Sequence, residues 1–290
     1  MTAEIATLGA ALVEAEGRLT AAGVRTPRVD AEWLLAGILD VGRNALAVNA
    51  MRPLGEMTAT RYADAVRRRA QREPLQRILG WEDFRGLRFR LTPDVLVPRP
   101  ETELLVEWAL GFLPEASPAR RPRVIDVGTG SGCIACALAH ERPDVDVMAI
   151  DILPAAVATA RANVEALGLE RRVHAMVADL ATALRRARAD LVVANLPYLP
   201  TAWLAELDPE VRAHEPRLAL AGGADGLDLV RRLVPDARRA LLSGGALVLE
   251  TAGDAQASAA ASLLATEGFV DVATRADLAG IVRFVGGRVS

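Results

Sequence analysis

The segment Val124-Ile-Asp-Val-Gly-Thr-Gly-Ser-Gly132 decides the fold class of this chain. It opens with a short apolar run at 124–127 that is typical of a buried strand. The glycines at 128, 130 and 132 then permit a sharp turn and a close approach of the backbone to a ligand, because glycine has no Cβ. A helix is predicted from about Cys133, so the segment is a strand, a turn and the start of a helix.

Strand and helix patterns alternate on the C-terminal side of this turn. Strands are predicted at residues 145–150, 173–178, 191–194 and 246–250, and helices at 155–167 and 228–242, with Gly244-Gly245 ending the last helix. This alternation is typical of an α/β protein with a mainly parallel, doubly wound sheet. Ligands bind such sheets at the carboxyl ends of the strands.

The glycine turn favours a cofactor other than a dinucleotide. Its G-x-G-x-G spacing differs from G-x-G-x-x-G, and no phosphate-binding Lys-Ser/Thr follows it. The carboxylate of Asp126 would repel a phosphate and attract a cationic amino or sulfonium centre. An NAD-dependent oxidoreductase stays as a remote alternative, to be tested by the binding of nicotinamide cofactors.

Two further acidic residues follow predicted strands. Asp151 lies 23 residues after Gly128, near the spacing at which a carboxylate reaches ribose hydroxyls. Asp179 follows the next strand and is placed to accept a hydrogen bond from an adenine amino group. Each could instead cap a helix, and for Asp179 the two interpretations are equally supported.

The sequence Asn195-Leu-Pro-Tyr198 follows the fourth strand and indicates the chemistry. The Asn195 side-chain oxygen and the Leu196 backbone carbonyl can each accept a hydrogen from a target NH₂ group. Two such acceptors would orient the nitrogen lone pair and stabilise the positive charge that develops on methylation. Pro197 stiffens the turn, and Tyr198 offers a ring on which a planar group can stack. An ordinary Asn-Pro turn is the alternative.

The N-terminal region is predicted to be helical. Leucines recur at helical spacing in residues 1 to about 73, Asp30 is a candidate cap for the second helix, and a third helix is expected at about 56–72. That third helix ends in an arginine-rich face (Arg67, Arg68, Arg69 and Arg72), which is either a solvated face or a docking surface. A β-hairpin turning at Arg85-Gly86 follows, and then a helix that Thr102 could cap.

Composition excludes several classes of protein. The net charge of −3 argues against a general nucleic-acid binder, and no apolar run reaches the roughly 18 residues that a membrane span needs. The N-terminus lacks the pattern of a secretory signal, so a cytoplasmic location is expected. The two cysteines, Cys133 and Cys136, have no second cluster to complete a metal site, so we expect them to be packed in the core and expect no metal.

Segments spread over nearly the whole chain resemble the glutamine-N5 methyltransferases that modify peptide chain release factors, the HemK-like family. The matching segments, besides the glycine turn, are Glu73-Pro-Leu-Gln-Arg-Ile-Leu-Gly80, Phe84-Arg-Gly-Leu-Arg-Phe89, Val97-Pro-Arg-Pro-Glu-Thr-Glu103, His214-Glu-Pro216, Gly222-Gly-Ala-Asp-Gly-Leu-Asp228, Gly253 with Gln256, and Asp277-Leu-Ala-Gly280 with Arg283.

The resemblance implies a seven-stranded, Rossmann-like class I methyltransferase domain (101–290), a small N-terminal helical domain that recognises the substrate (1–73) and a connecting β-hairpin (74–100). It implies S-adenosylmethionine as cofactor, S-adenosylhomocysteine as product and the glutamine of a release factor's Gly-Gly-Gln loop as substrate. Separately from the resemblance, a monomer is expected. The expected catalytic residues are Asn195, Leu196, Pro197 and Tyr198. The expected cofactor-binding residues are Asp126, Gly128, Thr129, Gly130, Ser131, Gly132, Asp151, Ile152, Asp179, Leu180 and Asn195.

The chain departs from the family pattern at a few positions. Leu196 stands where the family motif N-P-P-Y has proline, Leu180 replaces an aromatic residue, and Val282 replaces an acid. Glu250-Thr-Ala-Gly253 has one residue more than the family's E-x-G. These departures keep alternatives open: a methyltransferase for a ribosomal-protein glutamine or a small-molecule nitrogen, an adenine methyltransferase, and a catalytically silent binding module.

Overall fold

The computed structural model describes residues 7–115, 117, 120–182 and 189–290. These residues fall into two compact units. The first contains the described residues up to Trp81 together with Asp208–His214, and the second contains those of Glu82–Leu207 and Glu215–Ser290. The domain boundaries expected from the sequence, after residues 73 and 100, remain predictions.

The described chain alternates helices and strands after an all-helical start. Its α-helices are α1 (Leu8–Ala21), α2 (Pro27–Leu39), α3 (Arg43–Val48), α4 (Glu56–Ala70), α5 (Leu75–Leu79), α6 (Thr102–Leu110), α7 (Cys133–Glu141), α8 (Pro154–Ala166), α9 (Pro209–His214), α10 (Asp228–Ala240) and α11 (Asp254–Thr266). Its strands are β1 (Trp81–Phe84), β2 (Leu87–Arg90), β3 (Arg123–Val127), β4 (Asp146–Asp151), β5 (Val173–Val177), β6 (Ala189–Ala194), β7 (Leu241–Glu250), β8 (Phe269–Ala276) and β9 (Val282–Val289). None of these helices is long and apolar enough to cross a bilayer.

The first unit is a helical bundle, which confirms the helical N-terminal region. The apolar faces of its helices meet in a core that includes the fully buried Leu19, Leu34 and Leu35. The Tyr62 hydroxyl on α4 donates to the Ala31 carbonyl on α2 at 3.0 Å, so the one buried phenol is satisfied within the bundle.

The prediction that Asp30 caps the second helix is wrong. Helix α2 begins earlier, at Pro27. Proline is favoured at the first helical position, because the N–H group that it lacks would have no partner within the helix there. Asp30 therefore lies in the first turn, where its carboxylate accepts from the Thr26 hydroxyl (2.8 Å) and from Arg69 Nε (2.6 Å).

The arginine-rich face at the end of α4 is neutralised within its own unit. Each of its four guanidinium groups pairs with a carboxylate: Arg67 with Asp64, Arg68 with Glu73, Arg69 with Asp30 and Glu210, and Arg72 with Glu210. Glu210 lies on α9, far along the chain, so the local charge run did not indicate this pairing. The face is therefore a network of ion pairs.

The predicted hairpin is confirmed, with Arg85 and Gly86 at the turn between β1 and β2. Both residues have positive φ, 48° and 76°, as the tight turn of a two-residue hairpin requires. The rings of Phe84 and Phe89 pack edge to face with centroids 6.2 Å apart, which anchors the hairpin in the core of the second unit.

A seven-stranded sheet with the order β5-β4-β3-β6-β7-β9-β8 forms the centre of the second unit. The first five strands are parallel, and β9 is antiparallel to β7 and β8. The chain leaves β3 toward β4 on one side and returns to β6 on the other. This reversal opens a crevice at the carboxyl ends of β3 and β6, where ligands of such sheets bind.

Buried apolar side chains cover both faces of this sheet, as expected for a parallel sheet flanked by helices. Cys133 and Cys136 are buried on α7 within one of these layers, which confirms that they are packed in the core. Burial raises the pKa of both thiols, so both are protonated at neutral pH.

Two local predictions are wrong. Gly244 and Gly245 do not end the helix, because α10 stops at Ala240 and β7 already begins at Leu241; the pairing with β6 skips from Leu241 to Ala246 around the glycines. Thr102 does not cap α6 either. It is the first residue of the helix, and its hydroxyl accepts a hydrogen bond from Asn195, which directly follows β6.

Candidate active site

A cavity of about 250 Å³ lies at the carboxyl ends of the parallel strands, in the crevice beside β3 and β6. Its wall includes most of the residues expected from the sequence: Gly128, Thr129, Gly130, Ser131, Asp151, Ile152, Asp179, Leu180, Asn195, Leu196 and Pro197. Asp126, Gly132 and Tyr198 are not part of the wall, although each neighbours a residue that is. The fold therefore brings together residues from four separate segments of the chain.

The glycine turn takes the conformation that its composition requires. Gly128, Gly130 and Gly132 have φ angles of 76°, 53° and 83°, which residues with a Cβ rarely adopt. The Gly128 and Thr129 amides both donate to the Ile150 carbonyl, at 2.8 and 2.9 Å. These bonds tie the turn to the end of β4, so the wall of the cavity is fixed before any ligand binds.

Asp126 lies beneath the turn and is fully buried. Its Oδ2 accepts hydrogen bonds from the Thr129 hydroxyl (2.6 Å) and the Ala135 amide (3.2 Å). Oδ1 has no partner among the described residues. Burial raises the pKa of Asp126 to about 7, and the nearby Asp151 acts in the same direction. A buried carboxyl group with one unsatisfied oxygen is thus held directly behind the cavity.

Asp151 ends β4 and fixes two neighbouring segments. Its Oδ2 accepts from the Gly130 amide at 3.0 Å, and its Oδ1 accepts from the Leu153 amide at 2.9 Å. The second bond lies at the start of α8, where the sequence also allowed a cap. A carboxylate oxygen has two lone pairs, so each bond leaves acceptor capacity for a ligand hydroxyl.

Asp179 is paired with a residue that the sequence did not single out. Arg232 Nη2 donates to Asp179 Oδ2 at 2.6 Å, and both residues belong to the cavity wall. Leu180 beside it has a φ of 50° and is nearly buried against the same cavity. A helix after Asp179, the alternative that the sequence allowed, would extend into 183–188, outside the described residues.

The Asn195 amide is oriented by a hydrogen bond across the site. Its Nδ2 donates to the Thr102 hydroxyl at 3.0 Å, which uses the donor end of the amide. The remaining polar atom is Oδ1, an acceptor, and Asn195 lies on the cavity wall. The neighbouring Leu196 packs its side chain against the glycine turn, 3.0 Å from where a Cβ on Gly128 would lie.

A glycine-rich segment that follows α9 supports the Asn195–Tyr198 turn from behind. A Cβ at Gly222 would lie 2.5 Å from the Pro197 carbonyl oxygen, and one at Gly226 would overlap the Tyr198 carbonyl. Gln256 Nε2 on α11 also donates to the Tyr198 carbonyl, at 2.8 Å. From the sequence, these residues were known only as segments that resemble the family. Their close approach to the turn gives them a physical role.

Comparison with known proteins places this geometry in a family. Residues 10–80 match the family model of the PrmC N-terminal domain, and residues 102–202 match the Methyltransferase small domain. The release factor glutamine methyltransferase of Geobacter sulfurreducens is 44% identical over 99% of this chain and 98% of its own length. This chain belongs to the release factor glutamine methyltransferase family. The enzyme of the same name from Bradyrhizobium diazoefficiens is also 44% identical, over 93% of this chain and 91% of its own length.

Solved structures resemble the family member described here at the level of fold. The hMettl16 catalytic domain in complex with MAT2A 3′UTR hairpin 1 aligns with a TM-score of 0.58 and 16% identity over 82% of each chain. A methyltransferase from Pyrococcus furiosus aligns with a TM-score of 0.53 and 16% identity, covering 70% of this chain and 89% of that one. The predicted seven-stranded methyltransferase fold is confirmed.

A buried carboxylate completes the site of this family member, and sequence reasoning assigned it no role. Glu250 ends β7 and lies behind the Asn195–Tyr198 turn, with its Oε1 at 3.5 Å from the Tyr198 hydroxyl. Burial raises the pKa of the Tyr198 hydroxyl, and the neighbouring Glu250 adds to that effect, so the phenol keeps its proton. The position of Glu250 at the carboxyl end of a central strand is the signal that could have indicated a role.

Arg283 on β9 is a positive charge that acts on this carboxylate and lowers its pKa. Its Nε donates to Asp277 Oδ2 at 2.6 Å, and its Nη1 donates to the Ala252 carbonyl at 2.9 Å. Asp277 is held in turn by the Ala279 and Ile281 amides, both at 2.9 Å. The hydrogen bond from Arg283 is the main reason that the pKa of Asp277 is lowered, so the pair stays ionised at neutral pH. The Asp277–Gly280 segment thus fixes a cation beside the turn.

Proposed function

We propose that this chain transfers a methyl group from S-adenosylmethionine to the side-chain amide nitrogen of a glutamine in peptide chain release factors, within their Gly-Gly-Gln loop. One observation carries the proposal: Asn195 Nδ2 is held by Thr102 at 3.0 Å, which leaves Oδ1 as an acceptor beside the cavity. Membership of the release factor glutamine methyltransferase family supplies the substrate class.

The residues around the cavity fit an aminonucleoside cofactor. The glycine turn leaves open space at Gly130, where a Cβ would meet nothing within 4 Å. Asp151 and Asp179 bring carboxylate acceptors to a wall that is otherwise mainly apolar, and Asp126 keeps an unsatisfied oxygen behind the turn. Asp151 would hold the ribose, Asp179 with Leu180 and Ile152 the adenine, and the turn from Gly128 to Gly132 the amino-acid part. When bound, S-adenosylmethionine supplies an electrophilic methyl group on a sulfonium centre.

The chain's own residues would act on the glutamine amide. Asn195 Oδ1 and the Leu196 carbonyl would each accept one amide hydrogen, which turns the nitrogen lone pair toward the methyl group. Both acceptors also stabilise the positive charge that develops as the new N–C bond forms. The nitrogen then loses one of its protons, which is strongly acidic at that stage, so no strong base is required. Pro197 would keep the turn rigid, and the half-buried Tyr198 would present its ring to the planar amide.

The helical domain at residues 1–73 would help to recognise the release factor, with residues 74–100 as the connection to the methyltransferase domain at 101–290. The protein would act as a monomer, without binding nucleic acid. Because release factors act in translation, the reaction would take place in the cytoplasm.

The direct test is methyl transfer from labelled S-adenosylmethionine to a purified release factor. The control substrate is the same factor with its Gly-Gly-Gln glutamine changed to alanine, and the control enzyme is Asn195→Ala. We expect label only in the unaltered factor, and a loss of rate in Asn195→Ala much larger than any change in its affinity for S-adenosylmethionine, measured by calorimetry. Intact cofactor binding without transfer to the release factor would refute the proposed substrate and favour a different nitrogen acceptor.

A further inference from the structure

The side chain of Glu250 is placed to act on both ends of the Asn195–Tyr198 turn. It is 2% exposed, at the end of β7. On one side the Tyr198 hydroxyl lies 3.5 Å from Oε1. On the other side the Thr102 hydroxyl, which accepts from Asn195 Nδ2 at 3.0 Å, lies close enough to the same carboxylate to lower its pKa. Oε2 has no hydrogen-bond partner elsewhere in the described part of the chain.

The direction in which the Thr102 hydroxyl, located between Glu250 and Asn195, can donate its proton depends on the charge of the carboxyl group. A hydroxyl has one proton to donate, and the Thr102 oxygen already accepts from Asn195 Nδ2 at 3.0 Å. The Thr102 proton is therefore available to an acceptor, and an ionised carboxylate is an acceptor only. With Glu250 ionised, the Thr102 hydroxyl can turn its proton toward the unpartnered Oε2, so that the donors would run from Asn195 to Thr102 to Glu250 and leave Asn195 Oδ1 for the substrate.

A protonated Glu250 can reverse this direction. Its carboxyl proton can be donated to the Thr102 oxygen, and the Thr102 hydroxyl can then donate to Asn195 Oδ1. The amide would rotate so that Nδ2 occupies the substrate side. An NH₂ group there cannot accept a hydrogen from the glutamine amide, so one of the two proposed acceptors would be lost.

We infer that Glu250, acting through Thr102, is a positioning residue that decides which end of the Asn195 amide meets the target nitrogen, and that its ionised form is the active one. This inference rests on the proposed function, because it assigns a consequence to the acceptor role of Asn195. It adds a residue outside the cavity wall to the machinery of the reaction.

The surroundings of Glu250 place its titration near neutral pH. Burial raises its pKa to about 7, against the opposing effects of the Thr102 hydroxyl, Arg283 and the Tyr198 hydroxyl, while Glu101 acts in the same direction as burial. Arg283 is itself paired with Asp277. The active fraction should therefore increase as the pH rises through about 7, so the rate of methyl transfer should rise over that range.

The first test is the pH profile of kcat for wild type and Glu250→Gln. Glutamine keeps the size of the side chain but can donate to Thr102 at every pH. We expect Glu250→Gln to lose about tenfold or more in kcat at pH 8, to lose the rise near pH 7, and to keep the wild-type affinity for S-adenosylmethionine. Unchanged kcat and an unchanged pH profile in a folded Glu250→Gln would overturn the inference.

Two further variants separate positioning from a structural effect. Thr102→Ser keeps the hydroxyl and should keep both the rate and the rise near pH 7, whereas Thr102→Val should behave like Glu250→Gln. Asp190→Asn is the matched control, because Asp190 is another nearly buried carboxylate, at the start of β6, but pairs with Arg120. It should keep the wild-type pH profile. A loss of the profile in Asp190→Asn as well would show a general effect of stability.

A measurement without substrate distinguishes failure of this inference from failure of the proposed function. In ¹⁵N-labelled protein the Asn195 side-chain amide, assigned by its absence in Asn195→Asp, should shift with a midpoint near pH 7, and Glu250→Gln should abolish that shift. If the shift is present but no release factor is methylated, the proposed function fails and the positioning role stands. If release factor is methylated but neither the shift nor the rate titrates near pH 7, the positioning role fails.

Discussion

Arg232 Nη2 lies 2.6 Å from Asp179 Oδ2, and this ion pair forms part of the cavity wall. Both side chains are about half exposed, so the pair itself contributes little to stability. Its importance is local. The pair holds the Asp179 carboxylate next to Leu180, which stands where the family pattern has an aromatic residue. Asp179 thus presents one hydrogen-bond acceptor on a side of the cavity where the described wall residues include no aromatic ring.

We therefore expect Asp179→Ala to weaken the binding of S-adenosylmethionine. Loss of one hydrogen bond to a charged acceptor corresponds to about a tenfold rise in Kd, measured by calorimetry. Asp64→Ala removes an exposed partner of Arg67 on α4 and serves as the matched control, with no expected change in Kd. Equal affinity in wild type and Asp179→Ala would mean that Arg232 keeps the carboxylate away from the cofactor.

Substitution of Gly222 should impair the Asn195–Tyr198 turn. A methyl group at residue 222 would lie 2.5 Å from the Pro197 carbonyl oxygen and 2.6 Å from that of Gly226, and neither backbone can move freely. We expect Gly222→Ala to cost about 1–3 kcal/mol of unfolding free energy. It should also lower kcat by about tenfold or more through misplacement of the turn.

The control for Gly222→Ala is Gly17→Ala. Gly17 lies on the exposed side of α1, and a methyl group there would meet nothing within 4 Å. This substitution should stabilise the helix by up to about 1 kcal/mol, since alanine has the higher helix propensity. Chemical denaturation and steady-state kinetics measure both variants. Similar stabilities and rates for the two would contradict the close approach at Gly222.

The buried Asp126 should make the stability of the wild type depend on pH. Its pKa is raised to about 7, mainly by burial. Between pH about 4 and about 7 the folded chain keeps this proton while the unfolded chain releases it, so the free energy of unfolding falls as the pH rises through that range. Asp126→Asn has no proton to lose. The free energy of unfolding of Asp126→Asn minus that of wild type should therefore increase from pH 4.5 to pH 8, on the order of a few kcal/mol. Melting temperatures of the two proteins over this pH range should show the same trend.

Asp190 provides a comparison of opposite sign. Burial alone would raise the pKa of Asp190, but the hydrogen bonds from the Arg120 side chain and the Arg123 amide lower it below the ordinary value. The stability that this carboxylate contributes is present at neutral pH and is lost on acidification. Asp190→Asn should therefore be less stable than wild type at pH 7, by about 1–3 kcal/mol, and the gap should narrow toward pH 3. If the melting temperatures of Asp126→Asn and Asp190→Asn differ from that of wild type by the same amount at every pH, neither the raised pKa of Asp126 nor the lowered pKa of Asp190 is correct.

Two arginines at the end of α4 should contribute very differently to stability, Arg69 strongly and Arg67 hardly at all. Arg69 is nearly buried and donates to Asp30 at 2.6 Å and to Glu210 at 3.2 Å. Glu210 also pairs with Arg72, so Arg69→Ala leaves the buried Asp30 carboxylate without a cationic partner. The expected cost is about 3–5 kcal/mol of unfolding free energy. Arg67 pairs with Asp64 at the exposed surface, and Arg67→Ala should change stability by about 0.5 kcal/mol or less. Equal losses in urea denaturation would refute the distinction.

The mainly parallel sheet and the position of the cavity at its edge could be predicted from the sequence. Apolar runs ended by Asp126, Asp151 and Asn195 mark the carboxyl ends of strands, and parallel strands bring those ends to one edge of a sheet. The glycine turn could also be predicted, because residues with a Cβ rarely adopt the positive φ angles found at 128, 130 and 132. Local pattern was sufficient wherever the cause of the structure lies within a few residues.

The sequence was misleading where a contact with a distant part of the chain decides the role of a residue. Thr102 looked like a helix cap, yet its hydroxyl meets Asn195, 93 residues later in the chain. Asp30 also looked like a cap, and its partner Arg69 lies 39 residues away. The glycines at 244 and 245 looked like a helix stop, but they lie inside β7, where they interrupt the pairing with β6. In each case a contact between elements decided the role.

By itself the sequence determined the α/β class, the glycine turn and the Asn195-Leu-Pro-Tyr198 signature, because backbone preferences and apolar periodicity are local properties of a chain. Only the tertiary structure decided which carboxyl groups lie behind the site and in what charge state. Glu250 and Asp126 acquire a raised pKa because folding removes them from water, and Asp179 acquires a partner because α10 brings Arg232 to it. Burial and the direction of a hydrogen bond depend on neighbours that are remote in the chain, so no local pattern contains them.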